Sequence, residues 1–97
     1  MVDSFMQMNA SPSVDKTHSA NSCAFDKSAE VVAVACEDNI IRIFNVSDGE
    51  MVIELNDHKE PVHDVKFDFN SNTLVSCGAD NTVRIFGSWF LNIKYNL

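Results

Sequence analysis

The sequence predicts an all-β protein made of two copies of one four-stranded antiparallel unit. Three observations predict it: a repeat at a fixed offset, apolar alternation with a period of two, and matched polar turns. Phe25, Asp26, Asp38, Asn39, Arg42, Ile43 and Phe44 recur 42 residues later as Phe67, Asp68, Asp80, Asn81, Arg84, Ile85 and Phe86. Chance would give about one or two identities over such a window. Cys23/Val65, Val32/Leu74 and Ile41/Val83 keep apolar character, and no gap is needed between Cys23 and Phe86.

The elements follow in order. Ser22 to Asp26 is the first strand, Val31 to Cys36 the second and Ile40 to Asn45 the third. Ser47-Asp48-Gly49-Glu50 is a hairpin turn centred on Asp-Gly, and Met51 to Leu55 makes a fourth strand. In the second copy Val65 and Phe67 alternate with Asp64, Lys66 and Asp68, which gives a strand one apolar face. Thr73 to Cys77 is nearly continuous apolar, as expected of a strand covered on both sides. Thr82 to Phe86 is rich in β-branched and aromatic residues. Asn70-Ser71-Asn72 and Ala79-Asp80-Asn81 supply turn chemistry. Four short strands per ~40 residues is the arithmetic of a propeller blade. Ile93 to Leu97 aligns with the fourth strand, although Ser88 to Asn92 bears no likeness to the Asp-Gly hairpin. The divisions expected are a flexible leader over 1–17, a first blade over 18–56 and a second over 57–97.

Composition narrows the function. The 97 residues carry seven Lys and Arg against fourteen Asp and Glu, a net charge of −7. So acidic a chain repels phosphate, which argues against direct nucleic-acid binding. No apolar stretch approaches the ~20 residues of a membrane-spanning helix. The start lacks the basic and apolar segments of a secretory signal, so an intracellular protein is expected, in cytoplasm or nucleus. Three cysteines without tight spacing disfavour a disulfide scaffold.

The second copy reads Asp57-His58, then Val62 to Phe67, then Leu74-Val75-Ser76-Cys77-Gly78-Ala79-Asp80-Asn81-Thr82-Val83-Arg84-Ile85-Phe86. This resembles the WD-repeat β-propeller family over roughly residues 18 to 87. The family's Gly-His opening stands here as Asp57-His58, and its closing Trp-Asp as Phe86-Gly87 and Phe44-Asn45. The resemblance implies two four-stranded WD-type blades of an incomplete propeller. It implies a polar relay within the blade, matched by His58, Ser76 and Asp80. Phe86 replaces the Trp and removes its N–H donor. In the first copy only Asp38 matches; Val34 stands where a hydroxyl is expected. The family acts as a platform for protein complexes, with partners docking on one face. By position the contact residues implied are Ser19, Asn21 and Glu37 in the first blade, and Pro61, His63 and Ala79 in the second. The expected partners are other proteins, including basic segments, together with self-association or the remaining blades of a longer chain.

His18, Cys23, Cys36, His58, His63 and Cys77 are potential zinc ligands, and a small metal-dependent enzyme is the reading they would support. There is no Cys-x2-Cys pair, and cysteines inside strands act as small hydrophobes, Cys23 core-facing like Val65. No metal and no cofactor is therefore expected. His58, Ser76 and Asp80 resemble a catalytic triad on paper, but no Gly-x-Ser-x-Gly turn accompanies them, so no enzyme is expected. His63 is either a contact residue or an exposed polar one. Asp57, Glu60, Asp64 and Asp68 around Lys59 and Lys66 form either a solvated face or an acidic rim for a basic partner. Trp89-Phe90 is either an anchor or core. Arg42 and Arg84 should pair with carboxylates on adjacent strands. Two blades leave outer faces, placing Val32, Ile41, Val75 and Ile85 near water on one side. The alternative to an interaction module is a truncated blade pair without independent function.

Overall fold

The computed structural model describes residues 19–70 and 73–87, which form seven strands in two antiparallel sheets. The first sheet has the order β1 (Ala20–Phe25), β2 (Val31–Cys36), β3 (Ile41–Asn45) and β4 (Met51–Leu55). The second has β5 (Val62–Phe67), β6 (Thr73–Gly78) and β7 (Val83–Gly87). Each sheet meanders through short turns, so neighbours in sequence are neighbours in space. The leader over 1–17, His18, Trp89-Phe90 and a strand over 93–97 lie outside the described residues.

The repeat persists in fine detail. The first and second strands of both units share one register irregularity, at Ala20/Ser22 and at Val62/Asp64. Asn39 and Asn81 take matched left-handed turn conformations, with φ of 76° and 62°. Asparagine tolerates that region better than most residues. Gly49 closes the Asp-Gly hairpin with φ 73°, its N–H donating to Asn45 at 2.9 Å. Ala29 also adopts φ 59°, without a side chain suited to it. Replacing Ala29 with Gly is expected to stabilise the fold by about 0.5–1 kcal/mol. Urea unfolding of the two proteins side by side would measure it.

The main core lies between the sheets. One face of the first sheet presents Val31, Ala33, Ala35, Ile41, Ile43, Ile53 and Leu55. It packs on Val62, Val65, Leu74 and Phe86 of the second. The two alanines keep β2 small at the contact, which lets the sheets approach. The opposite face of the first sheet holds a smaller buried cluster of Val32, Val34, Cys36 and Phe44, with Met51 packed against it. All of β2 is therefore buried.

Three expectations need correction. Cys23 is exposed rather than core-facing. Val65, its counterpart, faces the first sheet and is buried, whereas Cys23 points away from that interface. Val32 and Ile41 are buried, because Ile41 belongs to the inter-sheet core and Val32 to the smaller cluster. Thr73 to Cys77 is covered on one face only: Leu74 and Ser76 are buried, while Thr73, Val75 and Cys77 are half-buried. The open face continues into β7, where Val83 and Ile85 are 66% and 69% exposed.

Candidate interaction face and the polar relay behind it

Each unit ties the residue before its first strand to the residue after its second. Glu37 N–H donates to Ser19 O, and Ala79 N–H donates to Pro61 O, both at 2.8 Å. The four expected contact residues in these bonds thus form two matched pairs at one end of the sheets. Asn21 and His63 stand at the same end, near the starts of β1 and β5. The Asn21 amide donates to Glu37 Oε1 at 3.0 Å and to Val62 O at 2.9 Å, joining the two sheets. His63, Ser19, Asn21 and Glu37 are exposed, while Pro61 and Ala79 are half-buried.

Sequence reasoning missed a second bridge. Ser22 donates to Asp64 Oδ1 at 2.6 Å. That hydroxyl first, and the Val65 N–H second, hold the Asp64 carboxyl below its ordinary range. Asp64 is therefore an inter-sheet acceptor rather than part of a solvated rim. Asp68 lies past the far end of β5, where Oδ1 accepts the Thr73 N–H at 3.3 Å. The acids left at the strand-start end are Asp57, Glu60 and Glu37, all exposed.

Behind this end sits a buried polar group. His58 Nε2 lies 2.7 Å from Ser76 Oγ, and His58 Nδ1 lies 3.4 Å from Asp80 Oδ1. Asp80 accepts from the Thr82 hydroxyl at 2.6 Å and from Lys59 N–H at 3.1 Å. A carboxylate only accepts, so the network assigns the imidazole proton to Nδ1 and lets Ser76 donate to Nε2. The Thr82 hydroxyl first, then the Lys59 N–H, holds Asp80 far below the usual carboxylate range. Ser76 is 1% exposed, and its proton is committed to His58. A nucleophile needs access, so this geometry instead ties the segment before β5 to β6 and the turn that follows it. Thr82 was not singled out by sequence; its counterpart Ile40 was the available signal.

The acid dependence follows with its sign. A carboxyl whose folded pKa is depressed stabilises the fold above its unfolded value near ~3.9, and that share is lost as pH falls further. The unfolding midpoint is expected to drop more steeply below about pH 4 than in Asp80→Asn. Thermal melts from pH 5 to 2 would compare the slopes.

In the first unit Asp38 has a different partner. Arg42 Nη1 and Nη2 donate to its two oxygens at 2.9 and 2.7 Å. Glu54 Oε2 lies 3.4 Å from Arg42 Nε, a charge contact without hydrogen-bond alignment. Arg42 thus has one carboxylate from the turn and one from the adjacent strand, where only the adjacent strand was expected. Cys36 is buried beside it, and burial pushes its thiol pKa up. Among the described residues no three His, Cys, Asp or Glu side chains converge as a metal-binding group. Among the described residues no helix is long and apolar enough to cross a membrane.

Two family profiles match the chain. One, described as WD domain, G-beta repeat, covers residues 49–87. The other, described as Anaphase-promoting complex subunit 4 WD40 domain, covers residues 6–67, more than half of the sequence. The chain belongs to the WD-repeat family. Among its relatives, WD repeat-containing protein 89 homolog of Dictyostelium discoideum is 36% identical over 56 residues, 58% of this chain and 16% of the relative. Pre-mRNA-processing factor 19 of Caenorhabditis elegans is 30% identical over 66 residues, 68% and 13% respectively. Set1 complex component swd2 of Schizosaccharomyces pombe is 35% identical over 65 residues, 65% and 18%. The chain thus spans less than a fifth of each of these WD-repeat relatives. Its two sheets are WD-type blades, and among the described residues they do not close a propeller ring.

Proposed function

We propose that the chain is a non-catalytic scaffold that docks other proteins at the end where β1 and β5 begin. The observation that carries this reading is the gathering of Ser19, Asn21, Glu37, Pro61, His63 and Ala79 at that end. The bonds between them and the relay behind them make the surface rigid, which lowers the ordering cost of docking. Relatives named as a Set1 complex component and as a chromatin assembly factor subunit support a role within larger assemblies. With Glu37, Asp57 and Glu60 exposed there and a net charge of −7, the partner segment is basic. The three free thiols fit a reducing, intracellular compartment. The blades divide near residue 57.

A photo-crosslinker placed at position 63 tests the docking end against one placed at Lys27, in the turn at the opposite end. Crosslinks to a basic partner at 63 and not at 27, weakened by salt, are the expected result. Equal labelling at both positions would refute it.

The open face of β6 and β7 supports a second reading, a blade pair that needs further blades or copies to act. Light scattering on a size-exclusion column with a thermal melt separates the two. A monodisperse monomer with a sharp melt favours the scaffold as it stands, and a defined oligomer favours the second reading. A polydisperse, non-cooperative sample favours the second reading.

A further inference from the structure

Of the acids exposed at the strand-start end, one is held in place. The Glu37 N–H donates to Ser19 O at 2.8 Å, which fixes its backbone. The Asn21 amide gives one hydrogen to Glu37 Oε1 at 3.0 Å and the other to Val62 O at 2.9 Å. Both of its hydrogens are thus used, and the two blades together set its plane. Asn39, in the same turn as Glu37, donates to Lys59 O at 3.2 Å and braces that turn against the segment before β5. Among the described residues Glu37 Oε2 has no hydrogen-bond partner, and Lys59 forms no ion pair with it. Asp38 beside it is committed to Arg42. Asp57 and Glu60 are exposed, and among the described residues no hydrogen bond holds either carboxylate. The second blade carries Ala79 and His63 at the places of Glu37 and Asn21, so it does not repeat this pair.

We propose that Glu37 anchors an arginine of the basic partner segment and that Asn21 positions it to prefer arginine over lysine, which rests on the reading of this end as the docking site. A guanidinium is a planar fork, and it meets a carboxylate best in one plane. An ammonium is a compact point charge and is indifferent to that plane. A freely turning carboxylate loses rotamer freedom when it meets the fork, whereas Glu37 has already lost part of its own to Asn21. Oε2 and the remaining lone pair of Oε1 stay open to the fork. Asp57 and Glu60 attract either cation without choosing between them. Glu37 is therefore the specificity-determining residue of this end, and Asn21 is its positioning residue.

The test uses the full chain and two fluorescent decapeptides of equal charge, one alternating glycine with arginine and one alternating glycine with lysine, read by anisotropy at low salt. The arginine peptide is expected to bind about threefold more tightly, the modest gain of an exposed charge pair. Glu37→Gln should weaken the arginine peptide about fivefold and level the two. Glu60→Gln removes the same charge and should weaken both alike, leaving the preference intact. Asn21→Ala keeps the Glu37 charge and should lose the preference while still binding lysine. Equal affinity of both peptides for the unmodified chain, or a preference that survives Glu37→Gln, overturns this inference and leaves the docking end standing. Binding of neither peptide overturns both. Should Asn21→Ala fail to fold for want of its bond to Val62, the two surface variants Glu37→Gln and Glu60→Gln decide.

Discussion

Replacing Asp38 with alanine is expected to destabilise the chain by about 3 kcal/mol, the low end of the cost of orphaning a buried charge. The Arg42 side chain is fully buried, and both terminal nitrogens depend on Asp38. Glu54 remains within 3.4 Å but is a third exposed and poorly aligned, so it compensates only in part. Arg42→Met should behave differently. It removes the charge together with its need for a partner and fills a similar volume. Near-neutral stability is the expected outcome there. Urea unfolding of both variants would show the asymmetry. Equal losses would mean that the ion pair itself, rather than the orphaned charge, carries the energy.

Gly78→Ala is expected to cost about 2 kcal/mol, as overpacking of a tight site does. A Cβ there would sit 2.8 Å from His58 Nδ1, and 3.1 Å from both Asp80 Oδ1 and the Pro61 carbonyl oxygen. The last cannot retreat easily, because it accepts the Ala79 N–H. The strain is local to the relay, so it should be coupled to it. In a double-mutant cycle with His58→Ala, the combined loss should fall short of the sum, since the smaller residue vacates the space. Strict additivity would place the strain on the backbone contact alone.

The counterpart of Gly78 is Cys36, and this pair shows how far the sequence could be read. The offset of 42 residues, the period-two strands and the Asn39/Asn81 turns all follow from local rules, and each appears as a strand or turn. The relay needs more than a matching motif. His58, Ser76, Gly78 and Thr82 form a set, and the first unit replaces the last three with Val34, Cys36 and Ile40. Asp38 and Asp80 are identical in sequence with identical arginines four residues on, yet one binds its arginine and the other does not. The neighbours decide, and they are distant in sequence. The burial of Val32 and the exposure of Cys23 escaped for a related reason. Period two marks two faces of a strand, but only the packing of one sheet on another says which is covered. Asp64 looked like a surface acid because its donor, Ser22, belongs to the other unit.

That last bond constrains how such a unit can be multiplied. Ser22 and Asp64 occupy the same position in successive copies, one giving a proton and the other receiving it. A chain symmetrised to serine at every copy would trade a charged acceptor for a neutral one. A chain symmetrised to aspartate would set like charges face to face. The joint therefore favours alternating, unlike residues over perfect duplication. Divergence between the copies is here part of what holds them together, and averaging the two sequences into a consensus would weaken the seam.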